Sequence, residues 1–178
     1  MDEQHLIQQI KQGDINSFRH LYRIHVSSAW QMAMTVCKNN TLAEEAVQTS
    51  FINAFHYIHQ FQQQSSFKTW LLRIVLNECV RILKLEKKFL WQEINDANNE
   101  EIKLSVPPSE YLNSKELKMK ISMILQKLNE KEASVLSLFY LEEMSIKEIA
   151  QILSYTESNV KVLLHRARKN FKYEYEKS

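Results

Sequence analysis

The chain contains a single glycine, Gly13, and only two prolines, the adjacent Pro107 and Pro108. Tight turns draw heavily on both residue types, so a sheet protein with many hairpins is excluded and helices are favoured. The only cysteines, Cys37 and Cys79, lie far apart and form no C-x-x-C pair, leaving two buried free thiols as the simpler reading and a redox pair as the other. No long uncharged apolar run exists; Arg73 interrupts the most apolar stretch, Trp70 to Val75. The start, Met1-Asp2-Glu3-Gln4, lacks the basic region and apolar core of a signal peptide, so a cytoplasmic location is expected. A large excess of one charge is missing too. The formal net charge is +2, and any affinity for nucleic acid must come from local clustering. What the chain does have is a hydrophobic fraction of 44%, enough for real cores and too much for a disordered protein.

The densest pattern lies between Leu128 and Phe171. Ser145 and Glu148 have the S-x-x-E spacing of a capping box, in which each side chain satisfies the other's backbone N–H. Ile146, Ile149, Ala150, Ile152 and Leu153 follow at helical spacing. Ser154-Tyr155-Thr156 reads as a tight turn, and the Thr156 hydroxyl can cap a second helix. In that helix Val160, Leu163, Leu164, Ala167 and Phe171 share one face, while Lys161, His165, Arg166, Arg168, Lys169 and Lys172 project elsewhere. An apolar back with a cationic front suits a helix that rests on protein and enters a major groove. An amphipathic pair on the outside of a bundle would share the stripe, but not the short turn, the two caps and the one-sided charge together.

Further upstream, residues 4–12 read as a short helix ended by Gly13, with Asp14 capping the next. That long helix carries Phe18, Leu21, Tyr22, Val26, Ala29, Trp30, Ala33 and Cys37 in register and breaks at Asn39-Asn40. Thr41 and Glu44 suggest another capping box, opening a helix with Ala43, Ala46, Val47, Phe51, Ala54, Phe55 and Ile58 inward. A polar loop, Phe61 to Ser66, precedes a helix from Phe67 to about Lys88. Residues 89–114 lose the pattern: Gln92 to Glu101 is polar and acidic, and Pro107-Pro108 blocks a helix, as in a linker. Asn129 and Glu132 open a capped helix whose Val135, Leu136, Phe139 and Tyr140 would support the helix-turn-helix. The expectation is an all-α protein of two small helical domains, 1–88 and 115–178, joined by a flexible linker, 89–114.

Enzyme chemistry finds little support. His56 and His59 stand three apart and could ligate a metal beside Glu44 or Glu45, yet there is no H-E-x-x-H pattern, glycine-rich phosphate loop or nucleophile constellation. No catalytic residue, metal site, cofactor or small-molecule substrate is expected.

Read in order, four segments carry a resemblance: Gln12-Gly13-Asp14 with Ser17-Phe18 and Leu21-Tyr22; Ala43-Glu44-Glu45 with Val47-Gln48 and Phe51; Phe61 with Phe67, Thr69-Trp70-Leu71, Ile74 and Asn77; and Leu128 to Lys169. Together they resemble bacterial RNA polymerase sigma factors of the sigma-70 family, in the extracytoplasmic-function (ECF) group. The resemblance implies a first domain that docks on the clamp coiled coil of core polymerase and captures the melted -10 strand. It implies a second that holds the -35 element and touches the polymerase flap. Promoter DNA, core polymerase and an anti-sigma factor are the implied partners.

Carried onto this sequence, the resemblance assigns polymerase binding to Glu44, Glu45, Gln48, Phe51 and Asn53, although Phe51 also fits a core position and Glu44 a cap. The -10 strand falls to Gln62, Gln63, Gln64, Ser65, Lys68, Arg73 and Asn77: amides and hydroxyls for base edges, cations for phosphate. Trp70 and Phe67 can be core instead. Lys161, Val162, His165 and Arg166 fall at base edges in the -35 groove, with Ser158, Arg168 and Lys169 on phosphates. The sequence departs from the family at Leu42, at Gln62-Gln63 and around the helix turn at Ser154, Thr156 and Ser158, which leaves the promoter sequence open. The competing reading is a stand-alone helix-turn-helix regulator, which would bind duplex DNA without core polymerase.

Overall fold

Gly13 closes the first helix by adopting φ +96°, a conformation that strains any L side chain. The computed structural model describes residues 3–93 and 114–177. Helix α1 is Glu3–Lys11 and α2 is Ile15–Cys37. Asp14 caps α2 as expected: its carboxylate accepts from Asn16 N (2.9 Å) and Ser17 Oγ (2.7 Å). Those two bonds, the Ser17 hydroxyl's first, hold its pKa below the usual aspartate value. Helix α3 is Asn40–Tyr57. Its cap corrects the expectation at Thr41, because Asn39 accepts from Leu42 N (3.1 Å) and starts the helix earlier. Asn is the stronger cap, so the Thr41–Glu44 spacing is left unused. A 3-10 turn, Ile58–Gln60, follows, which puts His59 off the α-helix that bears His56.

Ser66 starts helix α4, Phe67–Glu93, accepting from Thr69 N at 3.1 Å. The helix runs past the end expected near Lys88, so residues 89–93 of the anticipated linker are helical. Ser114, at the linker's other expected end, is likewise helical, and the linker calls between, Pro107-Pro108 among them, lie outside the described residues. The first unit packs α2, α3 and α4 against one another around Leu21, Ala33, Ala46, Leu71, Leu72 and Val75, all fully buried. Cys37 and Cys79 are buried and free where α2 meets α4. The hydrogen bond to Cys37 first, and burial second, push the Cys79 thiol pKa up.

The second unit comprises α5 (Ser114–Lys127), α6 (Glu130–Leu136), a π-helical segment (Ser137–Leu141), α7 (Ile146–Leu153) and α8 (Glu157–Glu176). Asn129 caps α6 through Glu132 N at 3.0 Å. All described elements are helical, as the scarcity of glycine and proline requires.

The two units lie against each other, α4 on α7 and α2 on α6. Glu142 is the centre of the contact: its side chain is 6% exposed, and it takes Lys68 Nζ and Ser28 Oγ, each at 2.7 Å. Lys38, the left-handed C-cap of α2, sends its ammonium to the Gln126 and Leu128 carbonyls at 2.7 and 2.6 Å. Those carbonyls end α5, where a cation is favoured.

Candidate nucleic-acid interface

In the second unit the turn forms as its residues dictate. Ser145 and Glu148 complete both halves of the capping box. The Ser145 hydroxyl first, then its N–H, hold the Glu148 carboxyl below the usual glutamate pKa. Ser154 ends α7 in the left-handed region at φ 56° without a glycine's freedom. Thr156 Oγ1 then accepts from Asn159 N (3.2 Å) to start α8. Val160, Leu163, Leu164 and Ala167 are buried beneath α8, fixing its rotation so that Lys161, Val162, His165, Arg166, Arg168 and Lys169 face outward. Val162, an apolar side chain 71% exposed, has no packing role in the fold, as suits a contact with a partner. Ser158 is exposed in the first turn.

The basic side chains divide in a way the sequence does not reveal. Lys161, His165 and Lys169 make no hydrogen bond or ion pair among the described residues. Arg166 donates its Nε to Glu132 Oε1 (2.8 Å), and Arg168 donates its Nε to the Tyr140 hydroxyl (2.8 Å). The Arg168 guanidinium also lies over the rings of Phe139 (5.2 Å) and Tyr140 (5.5 Å). Both arginines therefore present only their terminal nitrogens outward.

In the first unit, Lys11 Nζ holds the Phe61 carbonyl at 2.8 Å and sets where the polar loop departs. An open cavity of about 230 Å³ lies beside it. Gln62, Gln64, Ser65 and Arg73 line it, over the rings of Phe61 and Trp70. Those rings sit 5.0 Å apart, and Phe67 packs behind both. Trp70 is half-buried, serving the core on one face and the cavity on the other. Gln60, Thr69 and Gln151 of α7 complete the wall; sequence reasoning missed them, Gln151 because it arrives from the other unit. Gln63 is held at φ 57° and does not line the cavity. Asn77 is exposed farther along α4. Lys68 is placed differently from the expectation of a free phosphate binder: it is spent on Glu142.

On α3, Glu44, Glu45 and Gln48 are exposed together, with Gln48 Nε2 donating to Glu44 Oε1 (3.2 Å). Ile52, 56% exposed one turn beyond Gln48, extends this face; an apolar residue at i+4 on a polar stripe was the overlooked signal. Asn53 is half-buried and donates to Glu78 on α4 (3.1 Å). Phe51 corrects the interface expectation. It is 5% exposed, and its ring packs tilted against Tyr22 (4.6 Å) and edges toward Phe18 (6.4 Å), which makes it core. Phe55, expected inward, is exposed at the rim while still meeting Phe18 at 5.0 Å. Among the described residues no group of three or more His, Cys, Asp or Glu side chains converges as a metal site. No described helix is long and apolar enough to cross a membrane.

A capped helix-turn-helix with an exposed basic helix, joined to a second helical unit with a polar, aromatic-floored cavity, defines a DNA-binding protein of two parts. Comparison with known proteins gives the family. Residues 21–89 match Sigma-70 region 2, and residues 118–171 match Sigma-70, region 4. The chain is 30% identical over 169 residues to the ECF RNA polymerase sigma factor SigW of Bacillus subtilis, covering 91% of this chain and 90% of SigW. It is 26% identical to SigM of the same organism, covering 85% and 91%. Among solved structures, CnrH in complex with the cytosolic domain of CnrY has a TM-score of 0.69 at 22% identity, covering 96% and 95% of the two chains. RpoE of Bartonella quintana, in complex with the anti-sigma factor NepR, has a TM-score of 0.72 at 18% identity, covering 91% and 98%. This chain belongs to the sigma-70 family, among the ECF RNA polymerase sigma factors, and its function is to direct transcription initiation. Membership of that family sets aside the stand-alone regulator.

Proposed function

We propose that the chain confers promoter specificity on core RNA polymerase by a division of labour between its two units. The α3 face of Glu44, Glu45, Gln48 and Ile52 docks on a polymerase coiled coil, which needs polar side chains beside an apolar one. The cavity lined by Gln62, Gln64, Ser65 and Arg73 takes an unpaired -10 base. Its aromatic floor stacks the ring, its amides and hydroxyl meet the base edge, and Arg73 holds phosphate. Helix α8 enters the major groove of the -35 element, with Lys161, Val162, His165 and Arg166 toward base edges and Ser158, Arg168 and Lys169 toward phosphates. That cavity is the observation that carries the reading, because a duplex-reading regulator has no use for a base-sized polar pocket.

The two promoter elements are about 25 base pairs apart, roughly 85 Å of duplex at ~3.4 Å per base pair. Units in contact cannot span that distance, so promoter engagement parts them, withdraws Gln151 from the cavity wall so that the first-unit residues over Phe61 and Trp70 lie open to the strand, and releases Lys68 from Glu142 to join Arg73 on it. The protein acts in the cytoplasm without enzymatic activity of its own. An anti-sigma factor is its expected regulator, since the fold matches proteins captured in such complexes. Permanganate footprinting of promoter DNA with core polymerase tests this. Thymines in the -10 region become reactive only when both chain and core are present; reactivity that is unchanged when the cavity glutamines are replaced by alanine contradicts the assignment.

A further inference from the structure

Glu132 is a carboxylate buried to 3% exposure in a unit whose other acidic side chains mostly face water. It stands in the first turn of α6, where its own N–H is fixed by Asn129. A single oxygen, Oε1, accepts Arg166 Nε at 2.8 Å and Asn170 Nδ2 at 3.0 Å, two donors one turn apart on α8. A charge buried this far is retained only with a partner, and the partner here is a side chain on the helix that faces DNA.

We propose that Glu132 is a positioning residue for promoter recognition: it aims Arg166 and cancels its charge, so that Arg166 discriminates bases while adding little to sequence-blind attraction. The inference rests on the assignment of α8 to the -35 groove. Tying Nε to a fixed carboxylate leaves the two terminal nitrogens as the outward donors and removes most of the rotamer freedom an arginine otherwise loses on binding. The Arg166 side chain is still 60% exposed, so those donors reach solvent and groove. Arg168 makes the contrast. Its Nε anchor is the neutral Tyr140 hydroxyl, so its full charge remains available to phosphate. Two arginines two residues apart on α8 thus differ through their anchors, one uncharged and one anionic.

The test uses holoenzyme, the chain bound to core polymerase, and measures relative binding to promoters varied at each -35 base pair across a salt series. Arg166→Ala is expected to lose about tenfold discrimination at one base pair. Glu132→Gln keeps the side chain's size and one acceptor but removes the anion. It is expected to weaken preference at the same base pair by about threefold or more, while the log–log salt slope steepens by roughly 0.9 as a freed cation finds phosphate. A steeper slope is a readout that a merely structural role would not produce. If Arg166→Ala abolishes the preference and Glu132→Gln changes neither preference nor slope, the positioning role is refuted while α8 remains the reader. If Arg166→Ala weakens every promoter equally, Arg166 is not a base reader, and both the assignment and this proposal fall. Should Glu132→Gln fold poorly, nitrogen-15 NMR of the unaltered chain decides. A protected Arg166 Nε–H resonance, identified by its loss in Arg166→Ala, supports the tether; rapid exchange with solvent overturns it.

Discussion

Removing the Glu142 carboxylate should open the molecule. In Glu142→Ala, Ser28 loses its partner across the contact between the units, and Lys68 loses the carboxylate and keeps only its longer bond to the Glu142 carbonyl (3.3 Å). A charge-assisted hydrogen bond is worth about 1.5–3 kcal/mol and a neutral one about 1 kcal/mol. Both released donors can return to water, and the Lys68 side chain is already 31% exposed, so screening reduces the net loss to about 1.5 kcal/mol. That is roughly a tenfold rise in the ratio of parted to closed molecules. Ser27 and Ser122 line opposite walls of the cleft between α2 and α5 and are both exposed, so cysteines placed there can carry spin labels. The native Cys37 and Cys79 are buried and should label slowly. Pulsed electron resonance should give a short distance for the otherwise unaltered chain and a grown long-distance population in Glu142→Ala. Identical distributions, or long distances already dominant before the change, would refute the closure.

Three further outcomes rest on named side chains. Ser154→Gly should stabilise the protein by about 1 kcal/mol, raising the melting temperature by roughly 2–4 °C, because glycine adopts the left-handed cap without strain; no rise would show that the turn is unstrained. Glu148 has a folded-state pKa below its unfolded value, so its cap contributes fully above the ordinary glutamate range and is lost as pH falls through the depressed value. Glu148→Gln should therefore flatten the acid side of the stability profile, and an unchanged profile counts against the cap. Replacing Gln62 and Gln64 together by alanine should change preference within the -10 element while leaving core binding intact, read by transcription from promoter variants.

Much of this architecture was legible because it is local. Asp14, Asn129, Ser145 and Thr156 each cap within three residues of themselves, and Gly13 ends a helix alone. Local reasoning failed where two local signals competed, as Asn39 did with Thr41, and where helical periodicity could not separate core from rim, as for Phe51 and Phe55. It had no access to partners distant in sequence. Lys68 meets Glu142 across 74 residues, and Arg166 meets Glu132 across 34; both side chains look free on a helical wheel. The reading face could thus be named from the sequence, but which of its cations are already committed could not.

The most direct test of the account is reconstituted transcription with purified core polymerase on a promoter library. Core plus this chain should initiate from a narrow promoter set sharing -10 and -35 elements, while the chain alone protects no duplex. Sequence-specific protection by the chain alone, together with failure to bind core polymerase, would contradict it.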